Sequence, residues 1–244
     1  MRPVAETVST EARYGGQTMW APLRRVLVRA PEPAAAAAWR AFGWHREPDA
    51  ERIAAEHEAF RGLLAEAGVE VVIGQTSVPL SPDAVYTYDP AIVTDRGAIL
   101  LRPGKEGRRV EVDAMEADLL EAGVPILGRL EAPALAEGGD TVWLDERTLL
   151  VGIGYRTNET GVEVLRRLLP DVEVLAFDLP YLNGPGTANA TPLTAAGATL
   201  HVADAGRALV AALDVPSGIY NVCRDDERVS NTRFKRASGW RPAL

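Results

Sequence analysis

The sequence predicts an α/β protein in which a hairpin–helix–strand unit recurs along the chain. The first observation is the order of apolar runs and turn residues, which repeats at a spacing of roughly 50 residues and is typical of supersecondary units arranged about an axis. The second is that an acidic segment precedes the hairpin in two consecutive units, at Tyr86–Pro90 and at Glu137–Asp140. Radial symmetry would bring these two acidic segments together at one central site.

Composition limits the class of protein. The chain has 244 residues, of which 47% are hydrophobic and 25% are charged, as in an ordinary globular protein with a buried core. No apolar run approaches the roughly 20 residues that span a bilayer, so we expect no membrane-spanning segment. A net charge of −8 disfavours nucleic acid and anionic membranes as partners. Met1–Thr10 lacks the apolar middle of a signal peptide, which predicts a cytoplasmic location.

The first unit follows a predicted disordered leader, residues 1–13. The helix in this unit is indicated by the spacing of Ile53, Phe60 and Leu63 and by the stop signal Gly68. The predicted elements are, in order, a strand at Leu23–Val28, an irregular surface excursion at Pro31–Trp44, a helix at Asp49–Ala67 and a strand at Val69–Ile73.

The second and third units each open with a hairpin, because two short apolar runs flank a polar turn. The second unit is predicted to contain strands Ala91–Thr94 and Ala98–Leu101, a helix Arg109–Glu121 and a strand Val124–Leu127. The third is predicted to contain strands Thr141–Leu144 and Thr148–Val151, a helix Glu159–Leu169 and a strand Val172–Phe177. A linker at 186–199 then separates this body from a tail with a helix at Val202–Leu213 and a strand at Gly218–Val222.

The Glu137-Gly138-Gly139-Asp140 stretch has two interpretations. Glycines allow a turn with positive φ and close approach of a ligand, and the carboxylates could hold a cation or set the protonation of a base. Alternatively, the stretch is a hairpin turn with two solvated acids. The second acidic segment, which ends in Asp89, favours a binding site.

The body, from Tyr14 to about Pro185, resembles the amidinotransferase and dimethylargininase family of guanidine-modifying proteins, which includes arginine deiminase. The segments that carry the resemblance are Tyr14–Gln17, Leu23–Arg29, Tyr86–Pro90, Leu101–Gly104, Arg109–Glu111, Ala136–Asp140 and Tyr155–Asn158. The resemblance implies a five-bladed α/β propeller with a central funnel, of which this chain would hold about three blades as an incomplete propeller.

The resemblance also implies a covalent mechanism on a small cationic guanidino substrate, with no cofactor. A cysteine thiolate attacks the guanidinium carbon, a histidine shuttles protons and carboxylates hold the nitrogens. Carried over, Asp89 would bind the guanidinium, Glu137 would hold the substrate and orient the histidine, and Asp140 would support the site. The remaining candidates are assigned to the substrate, its α-carboxylate in particular: Arg102, Arg109, Arg156 and Asn158. For each arginine, a solvated or structural ion pair is the alternative.

The sequence departs from the family after Asp178–Tyr181, where relatives continue into the segment with the catalytic histidine. We therefore expect the family histidine and cysteine segments to be absent. In the tail, His201 and the single cysteine, Cys223, are the candidate replacements. The alternative is that His201 begins the tail helix and Cys223 ends a buried strand. Three scattered histidines and one cysteine predict no metal site.

The tail, from about Leu200, resembles the C-terminal end of NAD-dependent epimerases of the extended short-chain dehydrogenase family, through His201–Ala205, Pro216–Val222 and Gly239–Pro242. We interpret the chain as a fusion. Three functions stay open: an active guanidine hydrolase or amidinotransferase, a binding module without turnover, and an epimerase-type oxidoreductase, for which the glycine-rich turn and Tyr-x-x-x-Lys pair are missing.

An incomplete propeller would expose its inner walls, which predicts a homo-oligomer or capping by the tail residues Leu200, Val202, Leu209, Val210 and Leu213.

Overall fold

The computed structural model describes residues 14–178, 181–183, 199–201, 204, 207–208, 210–211, 215–216, 219–222 and 230–243. The predicted leader and nearly all of the predicted linker lie outside these residues. The helices are α1 Ala50–Glu66, α2 Val110–Glu121, α3 Glu159–Leu168 and α4 Thr232–Ser238. The strands are β1 Arg25–Val28, β2 Glu70–Ile73, β3 Ala91–Thr94, β4 Gly97–Leu100, β5 Ile126–Arg129, β6 Thr141–Asp145, β7 Thr148–Ile153, β8 Glu173–Asp178, β9 Tyr181–Asn183, β10 Thr199–His201 and β11 Ile219–Asn221.

The second and third units have the same topology. Strands β3 and β4 form an antiparallel hairpin, and β5 returns parallel to β4 after α2. Strands β6 and β7 likewise form a hairpin, and β8 returns parallel to β7 after α3. The first unit lacks a hairpin and consists of the parallel strands β1 and β2 joined through α1. The predicted repeat is confirmed, but no sheet of the described residues closes into a ring, and the number of blades stays a prediction.

The main core lies between the second and third units. Alternate residues of β7 point to opposite faces of its sheet, as the pleat requires. Leu149 and Val151 pack into a cluster with Ile92 and Ile99 of the second unit, whereas Leu150 faces the tail. This shared core fixes the position of one hairpin relative to the other, and so aligns the segments that precede them.

The tail packs directly on the third unit. Strand β11 pairs parallel with β8 and extends that sheet to four strands. Phe234 of α4 is fully buried, with its ring centroid 5.6 Å from that of Phe177 and 5.5 Å from that of Trp240. Capping through Val210 was a wrong expectation, because this side chain is exposed; the other four capping residues have no described side chains.

Local signals explain most of the boundaries. The Asp49 side chain accepts a hydrogen bond from the Arg52 N–H and caps α1, and Gly68 follows the helix with a φ of 83°. Strand β5 begins two residues later than expected. Pro125 has no N–H to donate to a ladder, so regular pairing starts after it. Among the described residues, none of the helices combines the length and the apolar character that crossing a bilayer requires.

Candidate functional site

The two acidic segments lie side by side. A backbone bridge joins Arg102, just after β4, to Ala136. The Gly138 N–H donates to the Asp89 carbonyl at 3.0 Å, and the Gly139 N–H donates to the Asp89 carboxylate at 2.8 Å. The acidic segments of consecutive units therefore converge, as their matching positions in the repeat led us to expect.

The Gly-Gly pair is required by this close approach. Gly138–Asp140 form a 3₁₀ turn in which neither glycine has a positive φ, so the freedom to adopt a left-handed conformation is not used here. A Cβ atom on Gly138 would lie 1.9 Å from the Tyr88 carbonyl oxygen. A Cβ atom on Gly139 would lie 2.5 Å from an Asp89 carboxylate oxygen. The glycines thus let one acidic segment pack against the other.

Glu137 lies at the centre of the site and its side chain is 0% exposed. Its Oε1 accepts from the Gly104 N–H at 3.1 Å, and its Oε2 accepts from Arg156 Nη1 at 2.8 Å. Arg108 Nη1 lies 3.6 Å from the same Oε2. Burial raises the pKa of the Glu137 carboxyl, and the charges of Arg156 and Arg108 offset this only in part.

Arg108 links the two acidic segments to α2. Its guanidinium is 2% exposed and makes three hydrogen bonds to Glu111, the shortest being 2.8 Å from Nη2 to Oε2. Nη1 also donates to Asp89 Oδ2 at 2.6 Å, and Nη2 donates to the Asp83 carbonyl at 3.1 Å. Burial opposes the charged form, but Glu111 and Asp89 outweigh it, so the pKa of Arg108 is raised and the residue stays cationic.

Arg156 connects Glu137 to Asp140 from the loop between β7 and α3. Besides its bond to Glu137, it donates from Nη2 to Asp140 Oδ1 at 2.6 Å. The Thr157 hydroxyl donates to the other Asp140 oxygen at 2.8 Å. Burial disfavours the charge on Arg156, yet Asp140 and Glu137 raise its pKa. The Arg156 side chain is 35% exposed, so the site meets solvent here.

These contacts form one connected acidic network. Lys105 Nζ completes it through a 3.0 Å contact with Asp83 Oδ2, and the Trp44 indole N–H donates to Asp83 Oδ1 at 2.7 Å. The network comprises five carboxylates, Asp83, Asp89, Glu111, Glu137 and Asp140, and three cations, Lys105, Arg108 and Arg156. Five negative and three positive side chains leave a formal charge of −2, which attracts a further cation.

The other two candidate arginines occupy different places. Arg102 joins the site through its backbone bridge to Ala136. Arg109 contacts Glu106 at 3.6 Å and donates from Nε to the Pro103 carbonyl at 3.4 Å. Among the contacts of the described residues, neither guanidinium reaches the acidic network. Their roles toward a substrate carboxylate stay predictions.

The candidate catalytic pair in the tail cannot be placed in the same way. His201 belongs to β10, which pairs parallel with β9, and its side chain lies outside the described residues. Cys223 also lies outside them.

Sequence reasoning missed four members of the network: Asp83, Lys105, Arg108 and Glu111. The available signal was the spacing of Arg108 and Glu111, three residues apart, because Arg108 ends the 3₁₀ turn Glu106–Arg108 and Glu111 lies in the first turn of α2. The family resemblance instead implied the adjacent Arg109, and a difference of one residue along the chain decides which of the two arginines faces the acids.

The side chain of Asn158 makes structural hydrogen bonds, and its candidate role toward a ligand stays a prediction. Its side-chain oxygen accepts from the N–H groups of Gly161 at 2.8 Å and Leu135 at 3.0 Å, and its amide donates to the Pro133 carbonyl at 2.9 Å. We expect Asn158→Ala to lower the free energy of unfolding by about 1–2 kcal/mol through loss of the α3 cap. Urea unfolding measures this; Asn158→Asp should recover part of the loss, and an unchanged stability in Asn158→Ala would contradict the capping role.

Comparison with known proteins adds independent information on this site. A family described as N,N dimethylarginine dimethylhydrolase, eukaryotic, matches residues 33–182. A dimethylarginine dimethylaminohydrolase of Pseudomonas aeruginosa is 29% identical over 123 residues, covering 50% of this chain and 48% of that protein. The Streptomyces coelicolor protein of the same name is 30% identical over 145 residues, covering 59% and 55%.

A solved structure shows the same relationship. The crystal structure of a dimethylarginine dimethylaminohydrolase adduct with 4-chloro-2-hydroxymethylpyridine superposes with a TM-score of 0.54 at 25% identity, covering 64% of this chain and 61% of that one. This chain therefore spans about half the length of the curated relatives it matches. The family match contains every member of the acidic network.

Proposed function

Because this chain belongs to the N,N-dimethylarginine dimethylhydrolase family, we propose that its acidic network binds the guanidinium group of a small arginine-like compound. The observation that carries the proposal is the convergence of Asp89 and Glu137 from two separate units. The names of the relatives support an arginine derivative as the class of ligand.

The chemistry of the network suits such a ligand. A guanidinium is planar and delocalised, and it forms paired hydrogen bonds with carboxylates. The network already holds two guanidinium groups by hydrogen bonds to its carboxylates, those of Arg108 and Arg156, and keeps a formal charge of −2. Asp140 is the partly exposed carboxylate beside Arg156, so a ligand would enter on this side.

The proposal also covers the architecture and the reaction. The three units would be three blades of a five-bladed α/β propeller, with the acidic network lining its funnel.

In turnover, a thiolate would add to the guanidinium carbon, and the amine would leave as its C–N bond breaks and its nitrogen takes a proton. Water would then cleave the C–S bond to give citrulline and restore the thiol. Cys223 and His201 are the candidates for nucleophile and proton carrier.

Binding is tested by calorimetric titration with L-arginine. We expect Glu137→Gln, which keeps the shape but removes the charge, to weaken binding by about tenfold or more, because a hydrogen bond to a charged group is lost from a buried site. Glu116→Gln is the matched control, since Glu116 also pairs with an arginine but lies outside the network. Absence of arginine binding to the parent protein, or equal affinity in Glu137→Gln, would contradict the proposal.

Turnover is tested separately with dimethylarginine and arginine as substrates and citrulline as the measured product. An active protein should lose product formation in Cys223→Ser. Binding without citrulline, and no difference between the parent and Cys223→Ser, would indicate a binding module.

A further inference from the structure

The segment before β1 is held against the hairpins of the second and third units. Gln17 connects the two hairpin turns: its side-chain oxygen accepts from the Asp95 N–H at 2.9 Å, and its amide donates to the Glu146 carbonyl at 2.5 Å. A Cβ atom on Gly16 would lie 2.7 Å from the Val93 carbonyl oxygen, so the two backbones are in close contact. These contacts fix the segment around residues 16 and 17.

Met19 makes a further contact, with strand β6. The Trp143 N–H donates to the Met19 Sδ at 3.2 Å. Among the described strands, β6 lies at the edge of its four-stranded sheet, and this N–H points away from the neighbouring strand β7. The thioether sulfur is a weak acceptor, but it covers an N–H of an edge strand that directly follows Asp140 of the acidic network.

Met19 is open to reagents in solution. The residue is 53% exposed, whereas Met115, the other methionine among the described residues, is 3% exposed and packs in the core of the second unit. Conversion of a thioether to a sulfoxide requires access of the oxidant to the sulfur, so the two methionines should differ strongly in reactivity.

We propose that Met19 is a site of oxidation by hydroperoxides, and that its sulfoxide no longer accepts the Trp143 N–H. In the reaction with hydrogen peroxide, one oxygen is transferred to the sulfur: the S–O bond forms as the O–O bond breaks, the sulfur loses two electrons, and the peroxide is reduced to water. The product is a polar side chain in place of an apolar one.

The contact distance explains why oxidation breaks the hydrogen bond. The sulfur and the Trp143 nitrogen are 3.2 Å apart, and an N–H···O bond alone occupies about 2.9 Å, so an added oxygen does not fit between them. If the oxygen points toward solvent instead, the sulfur carries a partial positive charge and attracts the N–H less. Either way the Trp143 N–H loses its acceptor, while the contacts of Gln17 are unaffected.

The inference is tested by treating the protein with hydrogen peroxide and measuring two quantities. Peptide mass spectrometry should find one added oxygen on Met19 while Met115 stays unmodified. Amide hydrogen exchange followed by NMR should show the Trp143 N–H exchanging about two- to fivefold faster after oxidation, as expected for the loss of one weak hydrogen bond. The Asp95 N–H, which donates to Gln17, is the internal control and should exchange at an unchanged rate.

Met19→Leu is the matched variant, because leucine keeps an apolar side chain of similar size and lacks the sulfur. Its Trp143 N–H should exchange faster before any treatment and should not respond to peroxide. Reduction of the oxidised parent by a methionine sulfoxide reductase should restore the slower exchange. Oxidation of Met115 as fast as Met19, or unchanged Trp143 exchange in the Met19 sulfoxide, would overturn the inference. Neither measurement of the parent protein needs a variant or a ligand.

Discussion

Replacing Arg108 by methionine is expected to lower the free energy of unfolding by about 3–5 kcal/mol, the cost of leaving buried charges without their partner. Glu111 and Asp89 each lose a hydrogen-bonded cation, and Glu137 loses a charge 3.6 Å away. Methionine fills much of the space of the aliphatic stem, so the loss reports the charge rather than a large cavity. Urea unfolding at neutral pH measures it.

Arg129→Met serves as the control for this change. Arg129 contacts two carboxylates at the surface, where an exposed ion pair contributes about 0–1 kcal/mol. A loss below about 1 kcal/mol for both variants would show that the acidic network does not depend on its central cation.

The Arg108→Met deficit should also depend on pH. Burial raises the pKa of Glu111 and of Glu137 even beside Arg108. Because the Arg108 charge lowers both pKa values, we expect them to rise further when Arg108 is replaced. A carboxyl whose folded pKa exceeds its unfolded value takes up a proton on folding, so its stability contribution is full below an unfolded pKa of about 4.3 and is lost as pH rises through the folded pKa. The stability difference between variant and parent should therefore shrink as the pH falls from neutral toward the unfolded carboxyl pKa of about 4.3.

The fold was predictable where short-range signals agree. Asp49 and Gly68 mark the ends of α1, and the polar turn at Asp95–Gly97 marks the first hairpin. The family resemblance drawn from the motifs is confirmed by the match over residues 33–182. The parallel addition of β11 to β8 was not predictable, because it depends on contacts between distant segments such as that of Phe234 with Phe177.

The proximity of the acidic residues was predictable from the sequence, but the ion pairs that they form with arginines were not. Asp89 precedes the hairpin of the second unit and Glu137 precedes that of the third, so packing of two units with the same topology brings the acidic segments together. Which arginine joins them depends on helix register and on rotamers: Arg108 faces the acids, whereas Arg109 turns toward Glu106. The roles of these residues toward a ligand stay predictions.

Gly138→Ala is expected to lower the free energy of unfolding by about 3 kcal/mol, at the upper end of the usual cost of overpacking. The new methyl group would lie 1.9 Å from the Tyr88 carbonyl oxygen, a backbone atom that cannot rotate away. The two acidic segments would have to separate, which also breaks the hydrogen bond from Gly139 to Asp89. Urea unfolding measures the loss, and arginine titration should show weaker binding in the molecules that remain folded.

Gly62→Ala provides the opposite control within the same chain. Gly62 lies inside α1, and a Cβ atom there meets nothing within 4 Å. Alanine should raise the stability by about 0.5–1 kcal/mol at that position, because it restricts the unfolded chain and favours the helix. Neither glycine has a positive φ, so the difference in stability between the two variants reports the close contact at Gly138 and not strain in the backbone conformation. If Gly138→Ala were as well tolerated as Gly62→Ala, the two acidic segments would not be in the contact that the binding site requires.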